Sequence, residues 1–149
     1  MKIVRILVLA LLAWVTFGAA ARPLSTGAAP APREEKVVYH ITDAKLATGA
    51  LNNIRNHLKA SPGVKIVVVA NGAGIDFLLE GATNANGNPY DATVQELVMR
   101  NRVEFRVCNN TLEARHIDKS RVIPEATIVP SGVAEVTRLQ LEGYAYLKP

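Results

Sequence analysis

The sequence is short of cysteine, of aromatics and of clustered charge. Cys108 is the only cysteine in 149 residues, so no disulfide can close within the chain. That thiol is buried and inert, paired between chains, or free and reactive. Aromatic side chains make up 5% of the chain, and its 17 basic and 13 acidic residues are interspersed. Without a basic stripe or exposed aromatics, the electrostatic footprint of a nucleic-acid binder is missing. The formal charge of +4 is itself halved if Lys2 and Arg5 leave with a cleaved leader. Three histidines without an HxxxH spacing, and one cysteine, make no metal motif. A Walker lysine and a GxGxxG pattern are absent as well, so neither metal nor organic cofactor is expected.

What is present begins with MKIVRILVLALLAWVTFGAAARP. Lys2 and Arg5 precede an apolar stretch from Ile6 to about Phe17, and small residues Gly18 to Ala21 follow. Residues 1–21 therefore read as a secretory signal peptide. The run is shorter than the roughly 20 apolar residues of a spanning helix; an uncleaved N-terminal membrane anchor is the alternative. No cysteine ends the run, which excludes a lipoprotein anchor. The expected location is periplasmic, with no stable membrane association after cleavage. Residues 22–35, RPLSTGAAPAPREE, lack apolar periodicity and read as a flexible leader. Residues 36–149 have the length of a single domain.

Within that domain strands and helices alternate. KVVYHIT (Lys36 to Thr42) predicts a strand, and Asp43 then starts a helix that buries Ala47, Ala50, Leu51, Ile54 and Leu58. His57 falls on that helix's solvent flank. VKIVVVA (Val64 to Ala70) is almost continuously β-branched, as suits a strand covered on both faces. NGAG (Asn71 to Gly74) reads as a tight turn that exploits glycine's tolerance of positive φ. IDFLLEG is a helical turn and ATNANGNPYD (Ala82 to Asp91) a loop. Asp91 caps a helix burying Val94, Leu97 and Val98. VEFRVC (Val103 to Cys108) is the next strand and NNTLEARHI the next helix. ATIVP (Ala126 to Pro130) follows, then a helix capped by Ser131 with Val133, Val136 and Leu139 inward, ended by Gly143. YAYL (Tyr144 to Leu147) is a fifth strand. This alternation implies a three-layer α/β/α sandwich on a mostly parallel five-stranded sheet.

Right-handed crossovers would gather the strand-to-helix loops on one sheet edge, where open α/β sheets place their sites. Thr42, Asn71 and Cys108 belong to that edge. Cys108 closes a strand just ahead of a helix, and Asn110 with Glu113 has capping-box spacing. Unsatisfied N–H groups and a partial positive charge at that position favour the thiolate. A small buried core residue is the competing reading of the same cysteine. His40, near the carboxyl end of the first strand, is a candidate proton donor or acceptor, or a structural histidine at the sheet edge. His116 is too far along its helix to reach the thiol within one chain. NGAG, with Asn71, Gly72 and Gly74, can present backbone N–H groups to an anion, and Asn109 and Asn110 flank the thiol.

The stretches VVYHITD, VVVANGAGIDFLL, FRVCNNTLEAR and VIPEATIVPSGVAEVTRLQLEGYAYLKP, in that order, resemble the DsrE/DsrF-like family of sulfur-relay proteins. The resemblance covers Lys36 to Pro149 and is most specific at Cys108 to Leu112 and at VPSGVAE. It implies a five-stranded parallel sheet between helical layers and assembly into homo-trimers or hexamers. It also implies that the cysteine matching Cys108 accepts sulfane sulfur as a persulfide and passes it on. Many members are cytoplasmic, so a signal peptide is a departure from the commoner setting.

The first expectation is therefore an exported, sulfurtransferase-like sulfur carrier with an accessible, acidified Cys108. Its partners would be sulfur donor and acceptor proteins or small sulfur compounds. The second is a non-catalytic oligomeric module that binds a small ligand or protein and has a structural cysteine. A third is an assembly whose subunits form disulfides through Cys108.

Overall fold

The computed structural model describes residues 34–149; the expected signal peptide and nearly all of the leader lie outside them. Among the described residues the chain runs β1 (Lys36–Asp43), α1 (Ala47–Ala60), β2 (Lys65–Ala73), α2 (Asp91–Asn101), β3 (Glu104–Cys108) and α3 (Asn109–Ala114). Then come β4 (Ala126–Val129), α4 (Gly132–Leu141) and β5 (Ala145–Leu147), with 3-10 turns at Ala44–Leu46, Gly74–Leu78 and Lys119–Arg121. No described helix is long and apolar enough to cross a membrane.

The five strands form one sheet in the order β4-β3-β2-β1-β5, and every neighbouring pair is parallel. The expected mostly parallel sheet is thus wholly parallel. From β1 to β4 the chain steps one strand at a time in one direction, so its crossovers fall on one face. The return from β4 to β5, beside β1, puts α4 on the other face.

Side-chain alternation divides the core accordingly. Tyr39, Val68 and Phe105 stand in register and pack with Ile54, Leu97 and Phe77 in the larger layer. Val38, Val67 and Val69 face the opposite way, against Val136 and Leu139 of α4. Covering on both sides explains the unbroken burial of Ile66 to Ala70. The two layers are unequal: α4 is anchored chiefly by two apolar side chains, each stabilising by about 1.5–3 kcal/mol. An ion-pair cluster of Arg106, Glu104, Glu135, Arg138 and Glu142 supplements them, and such pairs near the surface add little.

Several local expectations are corrected. Asp43 caps the 3-10 turn, accepting the Lys45 N–H at 2.9 Å, so α1 starts at Ala47. Tyr90, not Asp91, precedes α2. Ser131 caps α4 as expected, through Ala134 N–H at 3.4 Å, but the inward stripe is Gly132, Val136 and Leu139. Val133 is 62% exposed, because that stripe follows i, i+4, i+7 spacing and leaves Val133 a quarter-turn off it. His57 is not on a solvated flank: Tyr39 Oη–H donates to its Nδ1 at 3.0 Å, and its Nε2–H donates to Glu35 at 2.8 Å. The last turn of α1 lies over the start of β1, which brings these three together.

Candidate functional site

β1, β2 and β3 end side by side, and even-odd alternation turns His40, Asn71 and Cys108 towards α4. β2 continues through Asn71 to Ala73 where the sequence suggests a turn. Gly72 has φ +57, the left-handed conformation that favours glycine. Gly74 is needed for a different reason: a Cβ there would fall inside the contact distance of the Ile41 carbonyl. Its bare backbone lets β2 leave the sheet pressed against β1.

Cys108 itself precedes α3, with extended φ −72° and ψ 115°. The expected Asn110–Glu113 capping box does not form, because Cys108 takes the N-cap position and the helix begins two residues earlier than that box requires. Asn109 Nδ2–H instead donates to Glu113 at 2.7 Å, and Asn109 Oδ1 is buried with no hydrogen-bond partner among the described residues. Burial pushes the thiol's pKa up, but hydrogen bonds from the Thr111 hydroxyl and from the N–H groups of Gly132, Thr111 and Asn110 outweigh it. The pKa is held below its ordinary value. These donors favour the charged form directly. The Asn110 N–H is shared with the Pro130 carbonyl at 3.3 Å.

Thr111 was not singled out from the sequence, yet it joins two segments. Its Oγ1 accepts the Gly72 N–H at 3.0 Å, which leaves the hydroxyl hydrogen for the sulfur. Arg115 fixes the same loop from below, donating to Gly72 O at 3.2 Å and to Asp76 at 2.6 Å. The NGAG segment thus acts on the thiol through Thr111 rather than by facing it with its own amides. Arg106 shares Cys108's sheet face but is engaged by Glu104 and Glu135, so it does not neutralise a thiolate.

His40 reaches the same edge with both ring nitrogens occupied. Its Nε2–H donates to Asn71 Oδ1 at 3.2 Å, and its Nδ1 accepts Tyr146 Oη–H at 3.0 Å. Burial lowers its pKa, against a smaller upward pull from Asn71 and with a further lowering by Lys148. The neutral ring positions Asn71, and no hydrogen bond runs from it to the sulfur. His116 lies in a left-handed turn beyond α3, at φ 53°. Among the described residues no three His, Cys, Asp or Glu side chains converge as metal ligands would.

Cys108 is only 4% exposed, which corrects the accessible thiol of the first expectation and agrees with the competing reading of a buried cysteine. The first residue of α4 covers it. A Cβ placed on Gly132 would lie 3.1 Å from both Asn71 Cβ and Cys108 Cβ, so only a glycine fits this closely between them. Movement of α4 away from its thin layer would uncover the sulfur. Segments with few buried apolar contacts open most readily.

A model of the DsrE/DsrF-like family matches residues 27–149. Among solved structures, the chain is similar to a protein of unknown function, MTH1491, from Methanobacterium thermoautotrophicum. The two are 31% identical, with a TM-score of 0.69, over 78% of this chain and 100% of that one. It also has the fold of the ychN protein from E. coli, at 14% identity and a TM-score of 0.65, over 77% of this chain and 99% of that one. No curated protein matches the sequence.

Proposed function

The chain belongs to the DsrE/DsrF-like family, and from that premise we propose that it is an exported sulfur carrier in which Cys108 holds and transfers sulfane sulfur. The observation that carries this reading is the place of the thiol, at the end of β3 just ahead of α3, where the Thr111 hydroxyl and the N–H groups of Gly132, Thr111 and Asn110 hold its pKa below the ordinary value. A merely packed cysteine has no use for groups that stabilise its anion. In the loading step the thiolate attacks the terminal sulfane sulfur of a polysulfide or persulfide. The new S–S bond forms on Sγ as the donor's S–S bond breaks, and the donor leaves as a thiolate with the electron pair. An acceptor thiolate then attacks the outer sulfur, and Cys108 leaves as the thiolate it was. No external oxidant or reductant enters, and one cysteine suffices.

Burial of the thiol favours small donors such as inorganic polysulfide over bulky ones. Export through residues 1–21, and assembly into a homo-trimer or hexamer, belong to the same proposal. Val133, Leu141, Tyr146 and Leu147 on α4 and β5 are exposed and are the apolar surface that such an assembly would cover. Intact-mass spectrometry after polysulfide treatment tests the reading: one added sulfur on the wild type and none on Cys108→Ser supports it.

The 4% exposure of Cys108 is the observation that favours a second reading, a binding module with a structural thiol. In that case Cys108→Ser leaves ligand affinity unchanged and the native protein takes up no sulfur.

A further inference from the structure

We propose that a second cavity, at the same sheet edge but in the opposite layer from Cys108, binds a small amphiphilic anion. The cavity measures about 500 Å³, within the range of roughly 300–1,000 Å³ that small-molecule sites occupy. Beneath it lies the buried edge-to-face pair of Phe77 and Tyr90, with centroids 5.7 Å apart. The Thr48 and Tyr90 hydroxyls are hydrogen-bonded at 3.0 Å, which fixes the tyrosine ring. Ala44, Ala82 and Ala85 also line the space, and their small side chains keep it open.

Charge at the mouth selects the ligand's head. Lys45 and Asp76 are the two charged residues of the lining. Asp76 is already paired with Arg115 at 2.6 Å, whereas Lys45 is exposed and makes no ion pair among the described residues. The surplus charge at the rim is therefore positive. An acid group belongs at Lys45, with a flat or branched apolar body over Ala44, Ala82 and Ala85.

The Asn- and Gly-rich loop supplies one side of this cavity and is held by its own hydrogen bonds. Asn84 Oδ1 accepts the N–H groups of Asn86 and Asn88 at 2.9 and 3.1 Å, and Thr83 pairs with Pro89 in an antiparallel bridge.

The test is a fluorescence titration of the folded wild-type protein with 8-anilinonaphthalene-1-sulfonate at low ionic strength. The expected result is saturable binding at one site per chain, unchanged in Cys108→Ser, so that it stands or falls separately from sulfur carriage. Lys45→Gln should weaken it about two- to fivefold, as loss of an exposed charge pair does. Ala85→Trp, at an exposed loop position that leaves the core intact, should fill the space and weaken it at least about tenfold. Absence of saturable binding, or binding untouched by Ala85→Trp, overturns the proposal. So does an Ala85→Trp variant whose sedimentation shows a broken oligomer, because the cavity is then an interface between copies.

Discussion

Replacing Thr111 by Val keeps the side chain's shape and removes its hydroxyl, which is one of the four donors to the Cys108 thiolate. A hydrogen bond to a charged group contributes about 1.5–3 kcal/mol, and partial exposure of Thr111 argues for the lower figure. A loss of about 1.4 kcal/mol corresponds to a tenfold change in equilibrium, so the thiolate fraction below the pKa should fall about tenfold. Intrinsic nucleophilicity rises as the thiolate becomes more basic, with a Brønsted slope of about 0.4–0.5. That recovers roughly threefold and leaves alkylation at neutral pH about threefold slower. The assay is the pH profile of iodoacetamide alkylation, in which the inflection should move to higher pH in Thr111→Val and return in Thr111→Ser. Gly72 N–H, which loses its acceptor, lies at an exposed position, where water replaces it, so global stability should change little. Superimposable profiles for wild type and Thr111→Val would refute the reasoning.

Gly132→Ala should slow alkylation and sulfur uptake and destabilise the fold by about 1–3 kcal/mol, the usual cost of overpacking, because the new methyl meets Asn71 and Cys108 together; denaturant melts and alkylation rates measure both. Gly74→Ala should be more damaging, with loss of soluble folded protein, since its Cβ meets immobile Ile41 backbone. His40 has a lowered pKa in the folded state, so below its unfolded value of about 6.5 the unfolded chain binds the extra proton first. Its contribution is present above that pH and is lost as pH falls towards the folded pKa; thermal melts should show this, and His40→Gln should flatten it.

Much of the architecture was legible because burial on two faces leaves a plain mark. The β-branched run of β2 identified a central strand, and apolar spacing located α1, α2 and α4. Cys108 at a strand end, with His40 and Asn71 at neighbouring ends, followed from the alternation of strands and helices. What escaped depends on where helices start and which face they turn inward. Val133 looks like a core residue unless the inward position of Gly132 is known. The Asn110–Glu113 spacing fits a capping box, but α3 starts at Asn109 and the box dissolves. Thr111 went unnoticed for a related reason. Three residues past a cysteine it reads as an ordinary helix residue, and only the fold brings the Gly72 amide to its other side. Burial of Cys108 was one of two readings of its strand-end position, and the choice between them depends on α4, which follows only after α3 and β4.

The central claim is that Cys108 carries sulfur from a shielded but acidified position. Intact-mass spectrometry of the folded protein, incubated with inorganic polysulfide beside Cys108→Ser, tests it most directly. The account predicts one added sulfur on the wild type alone, removable by a thiol acceptor. An unmodified wild type whose thiol reacts only after unfolding would contradict it.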